Sequence, residues 1–149
     1  MNMHIKSFKE LNNGTKIPIF GFGTYLNDKG KQVIDSILYA LEIGYRHIDT
    51  ATFYGNEREI GQAVRISGIP RKEIFVTTKL WNSDHGYQNA LDAFNSSLEK
   101  LGLDYVDLYL IHWPVENLRL ESWRALQKLY NDGLCKSIGV SNYMERHLE

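Results

Sequence analysis

The sequence predicts an α/β fold made of parallel strands joined by helices. Apolar, strand-like segments recur along the 149 residues at intervals of 27 to 31 residues, and each interval contains a helical pattern of apolar positions. The segments begin near Ile19, His47, Ile74, Tyr105 and Lys136. Regular alternation at this spacing is typical of a parallel sheet with right-handed crossover helices. We therefore expect βαβ units along most of the chain.

The first eighteen residues lie outside this repeat and predict a β-hairpin. Ile5-Lys6-Ser7-Phe8 alternates between apolar and polar residues, Asn12-Asn13-Gly14 is typical of a tight turn, and Thr15-Lys16-Ile17-Pro18 returns. We expect the hairpin to form a lid or plug on the main sheet.

Apolar periodicity and end signals predict the helices. The first aligns Val33, Ile37 and Leu41 on one face. Asn56 is expected to cap the start of the second helix, and Gly68 to end it. The predicted helices span residues 31–43, 56–67, 87–101 and 120–131, and another is expected to begin after Asn142.

Composition narrows the class of protein. The chain is 43% hydrophobic and 23% charged with a net charge of −1, as expected for one soluble globular domain without a basic surface for nucleic acid. It shows no apolar leader and no apolar run long enough to span a membrane, which predicts a cytoplasmic protein. Cys135 is the single cysteine, so we interpret it as a small buried residue. No histidine or carboxylate spacing typical of a metal site is present.

Two architectures fit the repeat: a doubly wound open sheet and part of an eight-stranded barrel. Gly21-Phe22-Gly23 after the first strand, with Asp49 ending the second, is similar to a dinucleotide-binding fingerprint. However, Leu26 occupies the third glycine position, and Asn27-Asp28-Lys29-Gly30 separates the motif from its helix. These departures disfavour the doubly wound sheet.

Polar and aromatic residues follow every predicted strand. In a parallel αβ barrel the carboxyl ends of the strands converge on one face, so residues distant in sequence are expected to meet there. The residues at these ends are Gly23-Thr24-Tyr25, Asp49 with Tyr54, Lys79 with Trp81, His112 with Trp113, and Ser141-Asn142.

The chemistry of such a cluster follows from its residue types. A lysine close to a buried sheet needs a charged partner, and Asp49 on the adjacent strand is the expected partner of Lys79. A nearby ammonium favours the phenolate and is expected to lower the pKa of Tyr54. His112 is expected to orient a substrate carbonyl. This arrangement is suited to protonating an oxygen during carbonyl reduction, which requires a hydride-carrying cofactor.

Each of these residues also has a structural interpretation. Asp49 can cap a turn on which Tyr54 packs, Lys79 can be a solvated lysine after a strand, and His112 can be a hydrogen-bonded core histidine. These alternatives stay open from the residue pattern alone.

At these residues the sequence resembles the aldo-keto reductases, most closely the bacterial and archaeal diketogluconate-reductase-like members. The matching segments are Gly21-Phe22-Gly23-Thr24-Tyr25, Gly44-Tyr45-Arg46-His47-Ile48-Asp49-Thr50-Ala51, Tyr54-Gly55-Asn56-Glu57, Thr77-Thr78-Lys79-Leu80-Trp81, the run from Leu103 to Pro114, and Ile138-Gly139-Val140-Ser141-Asn142. The resemblance implies a parallel (β/α)8 TIM barrel and an NADP-dependent oxidoreductase that reduces aldehydes or ketones to alcohols. NADPH, less often NADH, would be the hydride donor.

The resemblance also implies a role for each matching position. Tyr54 would donate the proton, with Asp49, Lys79 and His112 completing the catalytic group. The other implied contacts are Gly23, Thr24, Tyr25 and Asp49 near the nicotinamide ribose, Ser141 and Asn142 at its carboxamide, and Tyr25, Tyr54, Trp81, His112 and Trp113 around a small-molecule carbonyl substrate.

The family's barrel needs about eight βα units and roughly 250 residues. We therefore expect residues 1–149 to be a single domain equivalent to the N-terminal portion of such a barrel, with a hairpin in 1–18 and about five βα units in 19–149. The alternative hypothesis is a truncated, catalytically inactive half-barrel that binds a partner or associates with itself through exposed sheet edges.

Overall fold

The computed structural model describes residues 3–27 and 30–149 of the chain. Met1 and Asn2, at the start of the predicted hairpin segment, lie outside the described residues. So do Asp28 and Lys29 of the predicted loop before the first helix.

The predicted hairpin forms, but its first strand begins at Phe8 and not near Ile5, because Ile5 and Lys6 lie in a turn. Strand β1 (Phe8–Glu10) pairs antiparallel with β2 (Lys16–Pro18), and Gly14 in the connecting turn has a φ of 83°, a conformation that glycine adopts without strain. At the tip, the Asn13 amide donates hydrogen bonds to the carbonyl oxygen of Lys136 (2.9 Å) and to Ser137 Oγ (3.2 Å). The hairpin tip is thus attached to a distant part of the chain.

The main sheet is parallel, and its strands lie side by side in chain order. Its strands in the described residues are β3 (Phe22–Gly23), β4 (His47–Asp49), β5 (Phe75–Leu80), β6 (Val106–Ile111) and β7 (Cys135–Val140). This five-stranded parallel sheet confirms the predicted α/β class.

The first strand of the sheet begins later and is shorter than expected. Strand β3 contains two residues, whereas the sequence predicted a strand from about Ile19. The Ile19 amide instead donates a hydrogen bond to the carbonyl oxygen of Ser7 (2.9 Å), so Ile19 still continues the hairpin ladder. The chain bends at Phe20 before it joins the sheet.

Every end of the four helices lies within one residue of its predicted position. The helices are α1 (Lys31–Glu42), α2 (Glu57–Ile66), α3 (Tyr87–Leu101) and α4 (Arg119–Asn131). Gly68 and Gly102 follow α2 and α3 with φ of 72° and 61°, as expected for left-handed C-terminal caps. The helix expected after Asn142 is a single 3₁₀ turn, Glu145–His147.

The core lies between the sheet and the helices. Phe94 of α3 packs edge-on against Tyr109 of β6, with ring centroids 4.8 Å apart and both residues fully buried. Helix α2 approaches the end of α3 closely at Gly61, where a Cβ atom would lie 1.8 Å from the Leu101 carbonyl oxygen. This contact is possible only because residue 61 has no side chain.

Cys135 is buried, as expected, with 1% of its surface exposed. Burial also raises the pKa of its thiol well above the ordinary value, which suppresses the reactive thiolate. We expect iodoacetamide to alkylate Cys135 in the folded chain at least about a hundredfold more slowly than in the urea-unfolded chain, because opening must precede reaction. Mass spectrometry of timed samples measures both rates, and equal rates would contradict the buried placement.

Across residues 3–27 and 30–149, no helix combines the length and the apolar character needed to cross a membrane.

Candidate active site

Parallel pairing places Asp49 and Lys79 on the same face of the sheet. Asp49 ends β4 opposite Thr77 of β5, and Lys79 lies two residues further along β5, where side chains return to the same face. The Lys79 ammonium lies 2.6 Å from Asp49 Oδ1 and 3.0 Å from the carbonyl oxygen of Thr50. The exposed fraction of the side chain is 7% for Lys79 and 31% for Asp49, so this is a largely buried ion pair. Removing one partner would leave the other charge unpaired.

Tyr54 reaches the site from the loop that follows β4. It ends a single 3₁₀ turn, Thr52–Tyr54, and the Thr52 hydroxyl attaches that turn to the carbonyl oxygen of Lys79 (3.1 Å). The Lys79 ammonium lies 5.2 Å from the centroid of the Tyr54 ring. Tyr54 and Lys79 are therefore neighbours although Tyr54 lies in the loop after β4 and Lys79 lies on β5.

His112 completes the group from the end of β6. Its amide donates to the carbonyl oxygen of Leu80 (3.1 Å), which places the imidazole edge-on to Tyr54 with ring centroids 5.7 Å apart. Its Nδ1 atom is buried without a hydrogen-bond partner among the described residues, which leaves Nε2 as the ring nitrogen available to a ligand. Burial, with a contribution from the positive charge of Lys79, lowers the pKa of His112 and favours the neutral imidazole at pH 7.

The expected lowering of the pKa of Tyr54 is wrong for this structure. Burial raises the pKa of Tyr54, and the negative charge of Asp49 raises it further. The main physical reason is burial, which disfavours the charged phenolate, and the negative charge of Asp49 disfavours it further. Tyr54 therefore keeps its proton at neutral pH and is available as a donor.

Aromatic side chains line an open cavity of about 530 Å³ beside this group. It is lined by Tyr25, Phe53, Tyr54, Trp81, Asn82, His112 and Trp113. The Phe53 and Trp81 rings stack with centroids 3.9 Å apart, and the Tyr25 ring lies 5.0 Å from that of Tyr54. Another cavity of similar volume lies beside β7 and α4, but Asp49, Tyr54, Lys79 and His112 do not line it. The aromatic cavity is therefore the candidate substrate site.

Phe53 and Asn82 line this cavity but were not among the predicted residues. Asn82 directly follows Trp81 in sequence, and Phe53 directly precedes Tyr54; both neighbours are predicted site residues. Proximity within a strand-to-helix loop was the only signal available for them.

The residues expected to contact a cofactor differ in burial and in how their side chains are hydrogen-bonded. The side chain of Thr24 is fully buried, and its hydroxyl donates to the carbonyl oxygen of Asp49 (3.1 Å). Gly23 borders open space, because a Cβ atom there would meet nothing within 4 Å. Ser141 and Asn142 follow β7, where the Asn142 amide donates to the carbonyl oxygen of His112 (2.9 Å) and to Ser141 Oγ (3.1 Å).

These groups fit a carboxamide. In the described part of the chain, the Ser141 hydroxyl proton and the Asn142 side-chain oxygen have no hydrogen-bond partner. They are one donor and one acceptor, the pair that an amide group requires. Residues 3–27 and 30–149 contain no cluster of three or more histidine, cysteine, aspartate or glutamate side chains that could hold a metal ion.

Known proteins are similar to this chain in sequence and in structure. A glyoxal reductase of Bacillus subtilis is 47% identical over 149 residues, which is 100% of this chain and 54% of that protein. The crystal structure of an aldo/keto reductase from Brucella melitensis superimposes with a TM-score of 0.93 at 51% identity, covering 99% of this chain and 56% of that one. A Bombyx mori aldo-keto reductase in complex with NADP superimposes with a TM-score of 0.86 at 38% identity, covering 98% and 55%.

The chain spans about half the length of the curated relatives it matches. Its five-stranded sheet therefore corresponds to part of a TIM barrel. The model of the aldo/keto reductase family matches residues 20–149, and the chain belongs to that family.

Proposed function

We propose that this chain carries the proton-donating site of a nicotinamide-dependent reductase that converts aldehydes or ketones to alcohols. The observation that carries the proposal is that Tyr54 and His112 line one aromatic cavity, while the Lys79–Asp49 ion pair lies beside Tyr54. Family membership supports oxidoreduction. Because the chain spans about half of its relatives' length, the activity of the whole protein is part of the proposal.

Four residues have proposed roles in proton delivery. Tyr54 donates its phenolic proton to the carbonyl oxygen as negative charge develops there. The neutral His112 donates a hydrogen bond from Nε2 to the same oxygen and orients the carbonyl. Lys79, held by Asp49 and by the carbonyl of Thr50, places a positive charge near the developing alkoxide.

The aromatic walls select and dehydrate the substrate. Phe53 and Trp81 stack on one another, which presents a broad apolar surface, and Tyr25 and Trp113 line the same cavity. Such a surface binds the apolar part of a small carbonyl compound and excludes water from the reacting oxygen.

NADPH, or less often NADH, is the proposed cofactor, and the NADP complex of the Bombyx mori relative supports it. When bound, a reduced nicotinamide supplies the hydride. We propose that Ser141 and Asn142 hold its carboxamide and that Gly23, Tyr25 and Asp49 line the adjacent ribose, with the buried Thr24 holding the backbone of Asp49 from behind. The free donor and acceptor after β7 and the open space at Gly23 support these contacts.

The purified chain is expected to bind NADPH and to oxidise it when an aldehyde is added. Glyoxal, suggested by the Bacillus subtilis relative, and an aromatic aldehyde, suggested by the cavity walls, are suitable substrates. Loss of the near-ultraviolet absorbance of NADPH reports turnover, and quenching of tryptophan fluorescence reports binding. The absence of both turnover and binding at millimolar NADPH would contradict the proposal for this chain.

A second candidate function is self-association. Within the described residues, β3 and β7 each have a strand neighbour on one side only, so both edges of the parallel sheet are open to pairing. Sedimentation velocity of the same sample distinguishes the two: concentration-dependent oligomers without NADPH turnover would favour self-association.

A further inference from the structure

One buried amide side chain connects the segments that carry the site. Asn56 has none of its surface exposed. Its Oδ1 accepts a hydrogen bond from the Thr50 hydroxyl at 2.8 Å, and its Nδ2 donates to the carbonyl oxygen of Thr24 at 2.9 Å. The loop after β3 and the loop after β4 are therefore joined through a single side chain.

The groups joined by Asn56 contact the reactive residues directly. The carbonyl oxygen of Thr50 accepts a hydrogen bond from the Lys79 ammonium at 3.0 Å. The amide of Thr24 donates to the carbonyl oxygen of Asp49 at 3.0 Å. Tyr54 lies two residues before Asn56, across Gly55 in the left-handed conformation with a φ of 68°. One residue thus lies between Asn56 and each partner of the ion pair: Thr50 toward Lys79, and Thr24 toward Asp49.

Helix capping does not account for this side chain. Asn56 immediately precedes α2, where a short polar residue ordinarily caps the first turn, yet its side chain makes no capping hydrogen bond. A buried amide is costly unless its polar atoms are paired, and here both are paired to the loops that hold the site. The side chain of Asn56 therefore makes its hydrogen bonds to the loops of the site and not to the helix.

We propose that Asn56 is a positioning residue: through Thr50 it holds the carbonyl that binds the Lys79 ammonium, through Thr24 it holds the backbone of Asp49, and so it fixes the Asp49–Lys79 pair beside Tyr54. Its effect on turnover rests on the proposed function. Its effect on Lys79 does not.

The first test measures Lys79 without cofactor or substrate. Hydrogen exchange of the Lys79 ammonium is followed by nitrogen-edited NMR, with the resonance assigned by its loss in Lys79→Met. In wild type it should exchange far more slowly than exposed lysines such as Lys31. Thr50→Val removes the hydroxyl that reaches Asn56 but keeps the carbonyl, and Asn56→Asp removes the amide donor. Both should speed Lys79 exchange about tenfold, the size expected from one lost hydrogen bond.

Backbone amides of β5 and β6 in the same samples separate positioning from general stability. They should keep their wild-type exchange rates, because the proposal concerns only the ion pair. The matched control is Asn89→Asp, since the Asn89 amide also donates to a backbone carbonyl, that of His85 at 3.2 Å, away from the cavity. Unchanged Lys79 exchange in Thr50→Val, or acceleration in proportion to the core amides, would overturn the proposal. If Asn56→Asp does not fold, Thr50→Val decides.

The second test is kinetic. Asn56→Asp should lower kcat about a hundredfold, the size expected from misplacing a reactive group by about 1 Å, while KM for the aldehyde stays within about twofold. A loss of kcat that only matches the loss of folded protein would overturn the proposal. If the wild-type chain shows no turnover, the proposed function fails, whereas the Lys79 exchange rates still decide whether Asn56 positions the ion pair.

Discussion

Tyr54→Phe is expected to lower the turnover of aldehyde by about 10²- to 10⁴-fold, the range typical of losing a general acid. The substitution removes the phenolic proton and leaves the ring, which packs beside Tyr25 and His112. NADPH binding should be unchanged, because the proposal places the hydroxyl at the carbonyl oxygen of the substrate. Steady-state kinetics and a fluorescence titration of NADPH measure the two effects separately.

The matched control is Tyr39→Phe, which removes the same hydroxyl from an exposed tyrosine on α1. It should leave both turnover and binding at wild-type values. If Tyr54→Phe reduced aldehydes at the wild-type rate, another group would have to supply the proton, and the proposed role of Tyr54 would be wrong. Weaker NADPH binding with normal turnover would instead place the hydroxyl at the cofactor.

Gly61→Ala is expected to destabilise the chain by about 3 kcal/mol, near the upper end for overpacking a core. A helical glycine replaced by alanine ordinarily stabilises by about 0.5–1 kcal/mol. Here the new Cβ would lie 1.8 Å from the carbonyl oxygen and 2.5 Å from the carbonyl carbon of Leu101, which are backbone atoms that cannot rotate away. The steric effect is larger, so α2 must move away from α3.

Urea unfolding followed by circular dichroism measures this change. Gln62→Ala is the control, since Gln62 is the exposed neighbour on the same helix and its replacement should change the free energy of unfolding by less than about 0.5 kcal/mol. An unchanged or higher unfolding midpoint for Gly61→Ala would show that α2 and α3 do not approach as closely as the structure indicates.

The sequence predicted the βα repeat well because each unit has strong local signals. Apolar residues at helical spacing and glycines such as Gly102 at helix ends determine the helix bounds with little tertiary influence. The start of β3 was missed because a nonlocal contact decides it: the Ile19 amide pairs with Ser7, twelve residues earlier in the chain. Local patterns do not contain that information.

The candidate site was predictable because the carboxyl ends of parallel strands lie side by side at one edge of the sheet. The grouping of Asp49, Lys79 and His112 required only the strand order. The direction of the pKa shift of Tyr54 required more, because it depends on burial of the phenol and on the negative charge of Asp49 beside it. Likewise, Asn56 has the sequence position of a helix cap, and only the packed structure shows its amide between two loops.

The strand order also determines how the molecule can assemble during synthesis. Each strand of the main sheet pairs with the strand made just before it, so every new βα unit adds to a surface that already exists. The hairpin is the exception. It precedes the sheet in the chain, yet its Asn13 side chain donates a hydrogen bond to a carbonyl oxygen 123 residues later, at Lys136. The hairpin is therefore made before the sheet but cannot complete its docking until β7 has been made.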